Sequence, residues 1–150
     1  MSIQIRLASI DDVEHIVPLF DAYRRFYGQP SDTALARSFL TERLMHKQSI
    51  IFLATGAAGA CIGFTQLFPS FSSASASRIF ILNDLFVTPG ERHKGIATAL
   101  LEEAAAFGRT TGAARLFLAT ALDNEGAHKL YESIGWKREE SFCYYSLSLS

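Results

Sequence analysis

The stretch Leu82 to Leu101, LNDLFVTPGERHKGIATALL, limits what this chain can fold into more than any other. Arg78 to Val87 is a near-continuous apolar run interrupted only by Asn83 and Asp84, the pattern of a strand covered on both faces. Thr88-Pro89-Gly90 stops that strand, and a helix is expected from about Lys94 to Gly108, with Ile96, Leu100, Ala104 and Phe107 on one face. A strand delivered through a tight turn into a helix start can build an anion site. The first N–H groups of a helix have no intrahelical acceptor, and the helix dipole places partial positive charge there. Gly95 allows close approach to the backbone, Ala97 keeps the next turn uncrowded, and Arg92, His93 and Lys94 offer charge-assisted contacts, so a diphosphate suits the site. A plain strand-to-helix turn with a solvated basic cluster accounts for the same residues. Neither GxxxxGK[ST] nor GxGxxG is present, which removes the commonest phosphate loops.

The rest of the chain supplies a mixed α and β framework. Gln4 to Leu7 reads as a first strand, followed by a helix from about Asp11 with Val13, Ile16, Phe20, Tyr23 and Tyr27 at helical spacing and Pro18 within it. Ser31 or Asp32 caps a second helix through Leu44 that ends near Lys47. Ile50 to Ala54 and Ala60 to Phe68 form a hairpin, and Ser70 to Ser77 is expected as an exposed loop. Arg115 to Thr120 is a further strand, Asn124 to Ile134 a fourth helix closed by Gly135, and two short strands are expected near Trp136 to Arg138 and Phe142 to Leu149. The order β-α-α-β-β-β-α-β-α-β-β implies a central mixed sheet of about seven strands, mostly antiparallel, with helices on both faces.

One domain spanning residues 1–150 follows from 150 residues of which 49% are hydrophobic. With 14 basic and 15 acidic residues the net charge is -1, which provides no general footprint for nucleic acid or an anionic membrane. No apolar run approaches a membrane span and the N-terminus lacks a secretory pattern, so the expected location is the cytoplasm. Cys61 and Cys143 lack CxxC spacing, and His15, His46, His93 and His128 do not cluster, so no metal is expected.

Arg92-His93-Lys94-Gly95-Ile96-Ala97 resembles the [QR]-x-x-G-x-[GA] signature of the Gcn5-related N-acetyltransferase superfamily. Asp123 to Trp136, DNEGAHKLYESIGW, resembles that family's N-x-x-A-x-x-x-Y-x-x-x-G-[FWY] pattern through Asn124, Ala127, Tyr131, Gly135 and Trp136. The resemblance implies acetyl-coenzyme A as cosubstrate, held by the backbone of Leu85, Phe86 and Val87, by Arg92 to Thr98 (Arg92, His93, Lys94, Gly95, Ile96, Ala97, Thr98), and by Asn124, Ala127 and Tyr131. It also implies that the strand after Gly112 splays from the one ending at Val87, and that a backbone N–H of Phe86 or Val87 stabilises the oxyanion. Helical spacing puts Asn124, Ala127 and Tyr131 on one stripe, and in the family a tyrosine at this place protonates the departing thiolate. Asn124 as a helix cap and Tyr131 as a core residue are the alternatives.

A transferable amine must lose a proton, and Asp84 is the candidate base, since a carboxylate in an apolar strand is costly unless it is paired or lines a cleft. Glutamate commonly stands at the place of Asn83 in amine-directed members of the family; here either Asp84 or water acts as base, and Asp84 alternatively pairs structurally with an arginine. Tyr23, Tyr27, Phe71 and Asn83 are candidate acceptor contacts, with a core role for the aromatics as the alternative. The implied acceptor is a small-molecule amine. A peptide or protein amine, or a sensor that binds acyl-coenzyme A without turnover, are the competing readings. By family analogy, the apolar segment Tyr144 to Leu149 is a candidate homodimer contact, with an edge strand packed within the monomer as the alternative.

Overall fold

Alternating burial and backbone pairing in the computed structural model, which describes residues 3–150, build a five-stranded sheet in the order β1-β2-β3-β4-β5. The strands are β1 (Gln4–Leu7), β2 (Ile50–Thr55), β3 (Cys61–Ser72), β4 (Ser77–Val87) and β5 (Leu116–Phe117). The first three pairings are antiparallel, and β5 joins β4 in parallel. The helices are α1 (Val13–Phe26), α2 (Thr33–Met45), α3 (Ile96–Thr110) and α4 (Glu125–Ser133). The chain divides into two compact units, residues 1–119 and 120–150, with β1 through β5 in the first and α4 in the second.

Strand periodicity sorts the first unit into two cores. Ile51 and Leu53 of β2, Phe64 of β3 and Phe86 of β4 are buried with Ile16, Val17 and Phe20 of α1 and with Ala36 and Leu40 of α2. On the other face, Phe107 of α3 packs its ring against Phe52 and Phe80 at centroid distances of 5.6 and 5.4 Å. The 3-10 turn Ile10–Asp12 that leads into α1 is fixed by a capping box: Ser9 and Asp12 exchange side-chain and backbone bonds, while Arg6 grips Asp12 through both terminal guanidinium nitrogens at 3.0 and 2.8 Å. Asp32 caps α2 by accepting from the Leu35 N–H. Pro18 is accommodated within α1, which runs unbroken from residue 13 to 26.

Three expectations change. The tract Ser70 to Ser77 is not a loop: Ser70, Phe71 and Ser72 pair with Ile79, Arg78 and Ser77, and only residues 73–76 turn. Hairpin bonds run through the backbone and need no large side chains, so a serine-rich sequence can still extend a ladder. The two expected C-terminal strands are absent among the described residues, leaving five strands where about seven were expected. An alternating apolar pattern makes a strand only where a neighbour takes its N–H and C=O groups, and Phe142, Tyr144, Tyr145, Leu147 and Leu149 are all exposed. The strand after Gly112 is also shorter than expected, with pairing confined to Leu116 and Phe117.

Candidate active site

β4 carries one residue more than β3 needs. Gln66 pairs with Asp84 and Leu67 with Leu82, so Asn83 is a bulge with no opposite number. Two side-chain hydroxyls hold the carbonyls at this point. Tyr23 of α1 donates to the Asn83 carbonyl at 3.0 Å, and the buried Thr65 donates to the Asp84 carbonyl at 2.8 Å. A strand bent in this way changes which face its following residues present.

Asp84 is the outcome of that change. Its side chain enters the α1 face and is 1% exposed, with no arginine partner among the described residues. Gln66 Nε2 donates to Oδ2 at 2.6 Å, Asn83 Nδ2 donates to Oδ1 at 2.8 Å, and Ser49 Oγ donates to Gln66 Oε1 at 2.6 Å. Burial pushes the carboxyl pKa up to about 6, against the opposing pull of the Asn83 and Gln66 hydrogen bonds. A carboxylate supported only by neutral amides, and partly protonated near neutrality, has the proton affinity of a general base. The Asn83 side chain is exposed beside it, and the Tyr23 ring of α1 meets the Tyr27 ring at the helix end in a tilted contact, centroids 4.9 Å apart. Phe71 is not brought to this group. It lies about 16 Å further along β3 and, by alternation, on the opposite face, where its ring receives the Arg78 guanidinium at 5.9 Å.

The opposite edge of β4 is left open. Parallel pairing with β5 covers Phe80 and Ile81 only, so Leu82 to Val87 have no strand partner on that side among the described residues. An edge without a strand partner offers backbone groups of the kind an extended amide chain can bind. Beyond Val87 a short 3-10 turn, Pro89–Glu91, leads to the start of α3. Arg92 folds back, donating from Nε to the Val87 carbonyl at 2.8 Å with its guanidinium over the Phe86 ring at 5.5 Å. Arg92 therefore clips the turn to the strand end. Lys94 pairs with Glu91 at 3.0 Å.

The α3 start has the form that an anion requires. Gly95 precedes the helix at φ +81, a conformation that side chains disfavour, and a methyl group there would meet nothing within 4 Å. The first intrahelical bond runs from Ala99 N–H to Gly95 O, so the N–H groups of Ile96, Ala97 and Thr98 have no acceptor within the helix. His93 also takes positive φ, at 64°. An open, donor-lined helix end of this form can accept an anion such as a phosphate.

These features coincide with a family. Its description is the acetyltransferase (GNAT) family, and its profile matches residues 16–136. The chain belongs to the GNAT acetyltransferase family. A relative from Bacillus subtilis (strain 168), described as an uncharacterized N-acetyltransferase, YhfO, is 45% identical across 97% of each chain. The crystal structure of a probable acetyltransferase is 41% identical, covers 98% of each chain and superposes with a TM-score of 0.92. An aminoglycoside N-acetyltransferase in complex with CoA shares the fold at a TM-score of 0.80, with 23% identity over 97% of this chain and 95% of that one. The protein is thus an acyltransferase, and acetyltransferases of this family draw their acetyl group from acetyl-coenzyme A.

In the second GNAT motif, Asn124 is the N-cap of α4, with Oδ1 accepting from the Ala127 N–H at 3.2 Å. Gly135, at φ +98, closes the helix: Trp136 N–H reaches the Tyr131 carbonyl and Gly135 N–H the Glu132 carbonyl. Tyr131 packs against the Trp136 ring at 5.9 Å. Among the described residues no three histidine, cysteine or acidic side chains gather where a metal could be held, and no helix is long and apolar enough to cross a membrane.

Sequence reading missed Gln66, Ser49 and Thr65. The available signal was Thr65-Gln66 inside an otherwise apolar strand, a buried polar pair in need of partners.

Proposed function

We propose that this GNAT enzyme transfers the acetyl group of acetyl-coenzyme A directly to the primary amine of a small molecule, such as a polyamine or an amino acid, and that residues 1–150 act as one acetyltransferase domain. The observation that carries the reading is Asp84: a buried carboxylate with no cationic partner among the described residues, beside the exposed Asn83 and the Tyr23 and Tyr27 rings. An ammonium group is the missing counter-charge, and aromatic faces favour it.

In this reading, Tyr23, Tyr27 and Asn83 border the acceptor. Asp84 takes one proton from the ammonium, through water because the carboxyl itself is buried. The nitrogen lone pair then attacks the thioester carbonyl carbon, while a backbone N–H of β4, that of Phe86 or Val87, holds the oxyanion. As the C–S bond breaks, Tyr131 gives its proton to the sulfur, and the second nitrogen proton restores the phenol. Leu85 to Val87, the α3 start from Arg92 to Thr98, and Asn124 with Ala127 hold the cosubstrate. The Asn124 oxygen caps α4, which leaves its NH2 group as the donor to a ligand.

The test is release of free thiol from acetyl-coenzyme A across polyamines, amino acids, aminoglycosides and peptides. Turnover confined to small amines supports the proposal. Turnover with peptides alone transfers the reading to protein amines, and tight cofactor binding without thiol release on any amine makes the protein a sensor.

A further inference from the structure

Asp84 stands at the end of a buried polar row that crosses three segments of the sheet: Ser49 just before β2, Gln66 on β3 and Asp84 on β4. Ser49, Gln66 and Asp84 are 7%, 0% and 1% exposed, so each polar atom depends on its neighbour. A side-chain amide has one accepting and one donating end, and Ser49 settles which end is where. Its hydroxyl donates to Gln66 Oε1, which turns Nε2 toward Asp84 Oδ2. Were the amide reversed, Oε1 would stand 2.6 Å from a carboxylate oxygen, two acceptors in contact. Oδ2 is therefore reserved as an acceptor. Oδ1 accepts from Asn83 Nδ2 at the bulge, where the Asn83 side chain is exposed.

We propose that Ser49 and Gln66 are positioning residues that reserve Asp84 Oδ2 as an acceptor and so direct the acceptor amine's proton to Oδ1, on the Asn83 side. The inference rests on the reading of Asp84 as the base. The N–H bond of the ammonium breaks, its proton passes through water and an O–H bond forms at Oδ1, and the proton leaves to water by the Asn83 side once the amide product is made. Gln66 also lends the anion a donor, so the pair sets the pH at which the enzyme becomes competent.

Few ionisable groups border the row. Ile50 to Leu53 of β2 and Phe64 to Phe68 of β3 contribute none. α1 contributes Tyr23, bonded to the Asn83 carbonyl, with Arg24 following it. Its Asp21 is taken by Ser31, the Asp32 N–H and Arg25, and its Glu14 by Arg37 of α2. Arg43 of α2 is engaged with Glu42 and Gln48. Asp84 thus takes its raised proton affinity from burial, offset in part by the two amide hydrogen bonds.

The experiment follows the Asp84 carboxyl by carbon-13 NMR of labelled aspartate, assigned with Asp84→Asn, together with the pH profile of kcat/KM. In Ser49→Ala the Gln66 amide is released and the anion loses its oriented donor. The Asp84 titration is expected to rise by about 0.5 to 1 pH unit, the worth of one hydrogen bond. The acid limb of kcat/KM should rise with it, KM for the amine should change little, and Ser49→Thr should restore both. Ser49→Cys, similar in volume and a weaker donor, gives an intermediate shift and serves if the alanine variant unfolds. An Asp84 titration equal to wild type in the alanine and cysteine variants overturns the inference. A titration that moves while the kinetic limb stays fixed upholds the positioning pair and overturns Asp84 as the base.

Discussion

Removing the charge at Asp84 should make the protein less active and, above neutral pH, more stable than its hydrogen bonds alone would suggest. The folded-state pKa is about 6 and the ordinary value 3.8, so folding favours the protonated form. Stability from this group is fully present below about pH 4 and is lost as pH rises through 6, because the unfolded chain gives up its proton first. The full difference corresponds to about 3 kcal/mol, of which about 2 kcal/mol falls between pH 4.5 and pH 7.5. In Asp84→Asn that dependence vanishes. The variant also loses an acceptor: the asparagine side chain has a single oxygen and cannot receive from both Gln66 Nε2 and Asn83 Nδ2, a mismatch costing about 1 kcal/mol that does not vary with pH. Urea unfolding followed by circular dichroism at both pH values separates the two effects. Wild type minus variant should fall by about 2 kcal/mol from the lower to the higher pH, whatever the constant offset. Two curves that stay parallel across this range would show that Asp84 is not held in a charge-disfavouring environment, and the argument for its basicity would go with them.

Tyr131→Phe is expected to lower kcat by about 10²-fold or more while leaving acetyl-coenzyme A affinity within a few-fold, read by thiol release and calorimetric titration. Unchanged turnover would remove the phenol from the mechanism. Gly95→Ala should destabilise the fold by about 1 kcal/mol through the positive φ alone, since no atom lies in the way of the methyl group, and should weaken cofactor binding; thermal melts with and without coenzyme A report both. Asp12, held at a pKa of about 2 chiefly by the Arg6 hydrogen bonds, contributes stability above pH 4 that is lost as pH falls through 2. Asp12→Asn should therefore lose about 1 to 2 kcal/mol at pH 7 and almost nothing extra near pH 2, as acid and urea titrations will measure. Asn124→Ala should cost about 1 kcal/mol of stability from the lost cap and, if its NH2 group holds the cofactor, raise the KM for acetyl-coenzyme A several-fold.

What the sequence conveyed well was local. The start of α3, with Gly95 at positive φ, and the end of α4, with Gly135 in the left-handed region, follow from the restrictions that a side chain places on backbone angles, and those restrictions are written in single residues. Helical spacing likewise placed Ile96, Leu100 and Ala104 on the buried side of their helix. The serine tract misled because composition describes side chains while a hairpin is held by backbone. The C-terminal segment misled in the opposite sense: alternation of Tyr144, Leu147 and Leu149 with serines describes a strand only if another strand pairs with it.

The candidate base shows most clearly where pattern reading ends. On a regular strand Leu82, Asp84 and Phe86 would share one face, and an apolar-polar-apolar series there implies an awkward carboxylate in search of an arginine. The single extra residue at Asn83 separates them. Leu82, opposite Leu67, passes to the α3 side, while Asp84, opposite Gln66, joins Phe86 on the α1 side. That register slip brings Asp84 beside an amide donated by β3, a hydroxyl donated from before β2 and a tyrosine donated by α1 to its neighbouring carbonyl. No window of the β4 sequence contains those partners. The environment that suits Asp84 to accept a proton is therefore a property of pairing between strands, and the bulge that creates it is the same irregularity that bends β4 where its other edge parts from β5.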